Sequence, residues 1–277
     1  MTIGISLHIG LNSVNPRAYA GWSGPLTACE ADAKDMASLA RSQRFKTQKL
    51  LTKQATRAAV TRGIAAAAKA LKTGDIFFIT YSGHGGQLPD LNGDEVDGLD
   101  ETWCLYDGEL VDDELYAAWA QFRAGVRVLV LSDSCHSGSV SRGALQATIQ
   151  PTSGVPRRYR AMPRDLALRV YDEHKQAYDK ILKDPKIAKA QASIKASVQL
   201  ISGCQDNQLS ADGDFNGLFT GTLKQVWNGG TFRGSYDKFH KSIRLRMPPD
   251  QTPRRSMVGA PNAAFEAQQP FWIAKPK

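Results

Sequence analysis

Two side chains able to do covalent chemistry stand in short glycine- and serine-rich segments, Ser82-Gly-His-Gly-Gly-Gln87 and Ser132-Asp-Ser-Cys-His-Ser-Gly138. A cysteine attacks as its thiolate, so it needs a base or a cationic neighbour at neutral pH, and an imidazole from a nearby loop can be either. His84 and Cys135 are the candidates for this pairing. Gly83, Gly85 and Gly86 around the histidine, and Gly138 after the cysteine, leave room for a substrate to approach the backbone. His136 is a rival base, but adjacent side chains on an extended segment diverge, which favours His84.

The elements that must position this pair are readable from apolar runs at Ile3–Leu11, Ile76–Tyr81, Val126–Leu131 and Val198–Ser202. Most are near-continuously apolar, as strands buried on both faces are. Helical periodicity lies between and after them, at roughly 26–42, 55–72, 112–123, 217–227 and 236–245. Alternating strands and helices predict an α/β fold with a mainly parallel central sheet flanked by helices. In such sheets functional groups gather just beyond the carboxyl ends of the strands. His84 and Cys135 both stand there, after strands expected to be neighbours. Residues 141–196 fit the alternation poorly and read as an insertion with a Lys- and Ala-rich helical part, 166–196. Phe271-Trp-Ile273 reads as a closing edge strand, and no internal repeat is found.

Composition narrows the function classes. A hydrophobic content of 42% over 277 residues supports a folded domain with a substantial core. The first ten residues lack the basic flank and apolar run of a secretory signal, and no stretch suits a membrane span, so a cytoplasmic protein is the expectation. Cys29, Cys104, Cys135 and Cys204 show no CxxC spacing, which argues against a zinc site and for reduced thiols. The net charge of +8 is concentrated, because residues 141–196 carry twelve Lys or Arg against five Asp or Glu. A basic segment raises nucleic acid as a partner. Its only aromatics are Tyr159, Tyr171 and Tyr178 and it holds no recognised binding motif, so nucleic acid is not expected.

The chain resembles the metacaspases and their bacterial relatives, the orthocaspases, within the caspase-like cysteine peptidases. The matching blocks are Tyr81-Ser-Gly-His-Gly-Gly-Gln87, Asp94-Glu-Val-Asp-Gly-Leu-Asp-Glu101, Leu110-Val-Asp-Asp-Glu114, Asp133-Ser-Cys-His-Ser-Gly138 and Ser202-Gly-Cys-Gln-Asp-Asn-Gln208, in family order. The interval of 51 residues from His84 to Cys135 agrees with the caspase spacing of about 50. The resemblance implies a single caspase-like sandwich over 1–277, with a large-subunit-like part at 1–140, a basic insertion or linker at 141–196 and a small-subunit-like part at 197–277. It implies a Cys135–His84 dyad, with the amides of Gly85 and Cys135 as oxyanion donors. It favours a monomer.

Caspases that cut after Asp carry Gln two residues before the cysteine; Asp133 stands there in this chain. An acidic pocket selects Arg or Lys and repels Asp. The resemblance builds this pocket from Asp32, Ser82 and Asp133, with Asp206 a further candidate for the substrate cleft. The expected partners are therefore protein or peptide substrates with Arg or Lys at the cleavage site, and the basic insertion is a candidate substrate in the same chain, expected to cover the cleft or to be cut between Arg142 and Lys195 during activation, by analogy with self-processing metacaspases.

The chemistry itself requires no cofactor. The acidic run from Asp90 to Glu114 offers oxygen donors of the kind calcium takes. Asp90, Asn92, Asp94 and Glu101 fit an EF-hand loop in part, but Glu95 replaces its required glycine. The resemblance instead places calcium, as an activator, among Asp97, Asp100, Glu101, Asp112 and Asp113. Against this, Ser139-Val-Ser-Arg142 lacks the further acidic ligand that calcium-dependent metacaspases carry after the cysteine block. Two other readings compete with the peptidase. One is a catalytically silent caspase-like adaptor, against which the intact His84 and Cys135 speak. The other is a nucleic-acid-binding module that uses the basic segment.

Overall fold

In the computed structural model, residues 2–93, 95, 97–135, 158–204 and 210–273 are described. The apolar runs form the middle of a six-stranded sheet made of β1 (Gly4–Gly10), β2 (Lys46–Leu51), β3 (Ile76–Ser82), β7 (Arg127–Asp133), β8 (Ser197–Ser202) and β9 (Arg254–Gly259). The spatial order is β2-β1-β3-β7-β8-β9. All pairings are parallel except the last, where β9 runs antiparallel to β8. The mainly parallel sheet expected from the sequence is present.

Side-chain alternation along the strands feeds two cores. Phe77, Ile79, Val128 and Val130 face one side and pack with Val60 and Ile64 of α2 (Arg57–Ala70) and Trp119 of α3 (Asp112–Trp119). Ile76, Phe78, Leu129 and Leu131 face the other, against Met36 of α1 (Cys29–Ser42) and the later helices α6 (Leu218–Trp227) and α7 (Tyr236–Arg244). Helix starts follow local chemistry. The Thr56 side chain accepts from the Ala59 amide at the start of α2, and Ser235 accepts from the Lys238 amide at the start of α7.

Three features depart from the sequence expectation. Phe271-Trp-Ile273 is not a strand; Phe271 is buried among Phe78, Trp227 and Phe239, and β9 forms the sheet edge in its place. Strand β2 was not expected. The acidic stretch and its neighbours build a second, antiparallel sheet from β4 (Gly85–Pro89), β5 (Leu99–Leu105) and β6 (Gly108–Val111). The basic insertion contributes α4 (Arg164–Leu182) and the single turn α5 (Pro185–Ala188). Leu166, Val170, Tyr171, Tyr178 and Leu182 of α4 are buried against Tyr19, Leu88, Cys104 and Val111. A last short helix, α8 (Ala263–Ala267), packs Phe265 on Tyr236.

Register decides where the chemistry falls. Ser82 of β3 pairs with Asp133 of β7. His84 and Cys135 each lie two residues beyond that pair, at one edge of one sheet.

Candidate active site

His84 is buried, and its Nε2 lies 3.0 Å from the carbonyl oxygen of Gly24. A carbonyl only accepts, so this bond puts the ring proton on Nε2 and leaves the lone pair on Nδ1. Nδ1 is buried without a hydrogen-bond partner among the described residues. Burial lowers the His84 pKa to about 4, against the opposing pulls of the Gly24 and Ala161 backbone groups, so the ring is a neutral base near pH 7. Trp22 packs on the ring at 4.7 Å between centroids. The Tyr81 hydroxyl donates to the His84 carbonyl at 2.6 Å and the Cys104 amide donates to it at 2.9 Å, which fixes the backbone at the end of β3.

Cys135 is fully buried. The Ser210 amide donates to its Sγ, which lies 3.4 Å from the Ser210 carbonyl oxygen. The backbone amides of Cys135 and Gly85 converge on a single acceptor, the carbonyl oxygen of Arg160, at 3.1 and 2.9 Å. These are the two amides expected to form the oxyanion site. The group lying on them is a peptide carbonyl of the same chain.

The rest of Arg160 lies where the acidic pocket was expected. Its guanidinium is wholly buried, with Nη2 2.7 Å from Asp32 and 2.9 Å from Asp212, and Nη1 2.9 Å from Asp133 and 2.9 Å from the Ser82 hydroxyl. Burial of a cation is tolerated when carboxylates and other acceptors pair with it, as they do at both terminal nitrogens here, while Nε has no hydrogen-bond partner among the described residues. Burial disfavours the charged guanidinium, but the nearby carboxylates outweigh it and raise the Arg160 pKa.

The carboxylates are held in turn. Asp133 accepts from the Thr220 amide at the start of α6, the Thr220 hydroxyl and the Ser210 hydroxyl. Asp32, in the first turn of α1, accepts from Ser82, Asn216 and the Gly217 amide. Burial pushes the Asp32 pKa up to about 6 despite the pull of Arg160. Asp212 accepts from the Thr27 amide and hydroxyl, and Arg160 and Thr27 hold its pKa low although burial opposes them.

The chain around Arg160 runs through the cleft and is bridged to the backbone on both sides. The Arg160 amide donates to the Ser210 carbonyl and the Asp212 amide to the Arg158 carbonyl, while Tyr159 bridges Ala211 in antiparallel fashion. Past Arg160, Ala161 bridges Gly85 in parallel fashion, and the Met162 amide donates to the Gly85 carbonyl at 2.8 Å. Ala161 packs on Cys135 and Cys204.

Asp32, Ser82, His84, Gly85, Asp133 and Cys135 are thus brought to one cleft. Asp206 and His136 lie outside the described residues, as do Asp94 and the sequence from 136 to 157. Sequence reasoning missed Asp212, in the same connection as Asp206, as well as Gly24 and Arg160. Nothing in the sequence separates Arg160 from Arg157, Arg158 and Arg164.

The expected metal residues are divided. Glu101 and Asp112 come together with Glu95, their carboxylate oxygens within 4.8 Å of one another. Asp97, Asp100 and Asp113 are not in this group; the Asp97 side chain accepts from the Leu99 amide and Asp113 from Asn92. Asp112 has one buried oxygen without a hydrogen-bond partner among the described residues, and burial together with Glu101, Asp100 and Asp113 raises its pKa.

The family model of the caspase domain, Peptidase_C14, matches residues 13–274. The chain belongs to the caspase-domain peptidase family. It is 39% identical over 150 residues to metacaspase-1A of Aspergillus clavatus, covering 48% of this chain and 33% of that protein. It is 30% identical over 251 residues to metacaspase-1 of Coccidioides immitis, covering 79% of this chain and 52% of that protein. The chain thus spans between a third and about half the length of these metacaspases. Among solved structures, protein GSU0716 of Geobacter sulfurreducens is 55% identical with a TM-score of 0.88, covering 99% of this chain and all of that one. Caspase-1 of Spodoptera frugiperda, at 8% identity, superposes with a TM-score of 0.51 over 93% of this chain and 86% of its own, a likeness of fold. Among the described residues of this caspase domain, no helix is long and apolar enough to cross a membrane.

Proposed function

We propose that this caspase domain is a cysteine endopeptidase that cuts after Arg or Lys, and that its own Arg160–Ala161 bond is one of its substrates. One observation carries the reading. Arg160 lies with its guanidinium among three carboxylates and its carbonyl oxygen on the Gly85 and Cys135 amides. A peptide bound for acyl transfer needs both contacts at once.

In the proposed mechanism His84 Nδ1 takes the Cys135 thiol proton, and the sulfur attacks the carbonyl carbon of the residue in the acidic pocket. The developing oxyanion stays on the amides of Gly85 and Cys135, donors already in place before the charge appears. His84 returns the proton to the leaving nitrogen, and water then hydrolyses the thioester. Asp32, Asp133, Asp212 and Ser82 select the cation, and a substrate Asp placed among these carboxylates would be repelled.

Calcium fits Glu95, Glu101 and Asp112 as a set of hard oxygen donors with an unpartnered buried oxygen among them. Bound there it would supply positive charge to a cluster that otherwise repels itself. It takes no part in the acyl transfer.

The test compares wild type with Cys135→Ala on small peptide amides ending in Arg, Lys or Asp, and maps new chain termini after incubation. Arg and Lys peptides are expected to be cut, Asp peptides left intact, and a new amino terminus found at Ala161, all dependent on Cys135. Hydrolysis that survives Cys135→Ala would remove the thiol from its role. Active enzyme with no terminus at Ala161, even when hydroxylamine is present to trap a thioester, would remove the self-cleavage.

A further inference from the structure

In ordinary proteolysis the leaving amine diffuses away and water takes its place at the thioester. The half of the chain that would leave after a cut at Arg160–Ala161 is anchored chiefly by contacts beyond that bond. Ala161 is bridged to Gly85 and packs on Cys135, and the Met162 amide bonds to the Gly85 carbonyl. Pro163 is then the only residue before α4, which is rooted by buried Leu166, Val170, Tyr171, Tyr178 and Leu182. The Tyr178 hydroxyl also accepts from the Glu109 amide at 3.1 Å, which ties α4 to the small sheet.

We infer that the amine released at Ala161 stays beside the Arg160 thioester and attacks it in turn, so that this domain remakes as well as breaks its own Arg160–Ala161 bond. The inference rests on the self-cleaving reading above and adds a peptide-bond-forming activity to it.

The step balances without a further reactant. In the forward direction a bond forms between Cys135 Sγ and the Arg160 carbonyl carbon, the bond to the Ala161 nitrogen breaks, and the thiol proton passes through His84 to that nitrogen. In reverse the Ala161 amine attacks the same carbon, the C–S bond breaks, and the proton lost by the amine returns through His84 to sulfur. Nothing is oxidised or reduced. A held nucleophile acts at an effective molarity that can reach about 10⁵–10⁸ M when well oriented, far above that of liquid water. An α-amine titrates near about 7.7–8.0, so a large fraction of it is neutral and nucleophilic at pH 8.

Hydroxylamine, a small nucleophile that captures thioesters, separates the two fates. The full-length chain is incubated at pH 8 with and without it, loss of intact chain is followed on denaturing gels, and the new carboxyl terminus is identified by mass spectrometry. If the Ala161 amine returns, hydroxylamine accelerates loss of intact chain at least tenfold, and the upstream fragment ends in an Arg160 hydroxamate. Four glycines inserted between Met162 and Pro163 loosen the anchor, and are expected to speed cleavage without hydroxylamine and to shrink its accelerating effect. Equal rates of chain loss with and without hydroxylamine would overturn the inference. So would the absence of any Arg160 hydroxamate from enzyme that hydrolyses Arg peptides. Enzyme inactive on Arg peptides as well would instead sink the peptidase reading, and this inference with it. Cys135→Ala run in parallel reports any thioester-independent cleavage by hydroxylamine.

Discussion

His84 is held in one tautomer by Gly24, a residue with no side-chain chemistry. Gly24 has φ +49°, and a β-carbon there would meet Trp22 at 2.7 Å and the His84 ring at 2.9 Å. Gly24→Ala is therefore expected to push the imidazole off its carbonyl and displace Nδ1, the nitrogen assigned above as the base, while the two main cores are untouched. Its kcat on an Arg peptide amide should fall at least tenfold with the melting temperature within a few degrees of wild type; an unchanged kcat would mean that this carbonyl does not set the base. Asp32 makes a separate prediction. With its pKa raised to about 6 chiefly by burial, Asp32 takes up a proton as pH falls through that value, and its ion pair with a bound Arg weakens. His84, lowered to about 4, remains a base over the same interval. KM for Arg peptides should therefore rise severalfold between pH 7 and pH 5 while kcat changes little, and Asp32→Asn should flatten that rise. A fall confined to kcat would assign the acid limb to the base instead of the pocket.

At the scale of elements, what could be read in advance depended on burial. β3 and β7 are buried along their whole length, so each reads as a continuous apolar run, and the loops that carry His84 and Cys135 follow directly from their ends. β2, with only Leu50 buried, reads Lys-Thr-Gln-Lys and carries no such signal. The small sheet was hidden for a similar reason, since β5 opens on Leu99-Asp-Glu101 and looked like part of an acidic loop. The gathering of Asp32, Ser82 and Asp133 was legible because those residues sit in recognisable blocks. Arg160 and Asp212 were not, because only the tertiary path of the chain brings them there. The small sheet carries a prediction of its own at Glu109 of β6, which is wholly buried and accepts from the Thr102 hydroxyl, with its other oxygen unpartnered among the described residues. Burial raises its pKa from 4.5 to about 7, against the pulls of Thr102 and Arg57. A carboxyl whose folded pKa lies above its unfolded value adds stability below the unfolded pKa and loses it as pH rises through the folded one. Stability should therefore decline from about pH 5 to pH 8 in wild type and decline less in Glu109→Gln, as measured by urea unfolding at each pH. Parallel pH slopes for the two proteins would show that Glu109 does not carry the effect.

For the whole molecule, the position of Arg160–Ala161 in the topology fixes the fate of the two pieces. A cut there leaves β1 to β7 on one side and α4, β8 and β9 on the other, yet β7 and β8 are adjacent, parallel and central. One core is built from both pieces, with Phe78 and Leu129 from the first and Ile201, Phe219, Leu223 and Phe239 from the second. Each such apolar side chain contributes about 1.5–3 kcal/mol when fully buried, so separating the pieces would expose far more than the loss of one peptide bond can drive. It would also strip β7 and β8 of their pairing and leave two long apolar edges open. The cleaved protein is therefore expected to elute from a sizing column as one species at the position of the intact chain, and to resolve into pieces of 160 and 117 residues only after denaturation. The same association keeps Asp32 and Asp133 of the first piece beside Asp212 of the second, so the cluster of carboxylates is expected to survive the cut. Pieces that separate on a native column would mean that the central strand pair does not hold without the covalent link, and would also remove the retained amine on which re-formation of the bond depends.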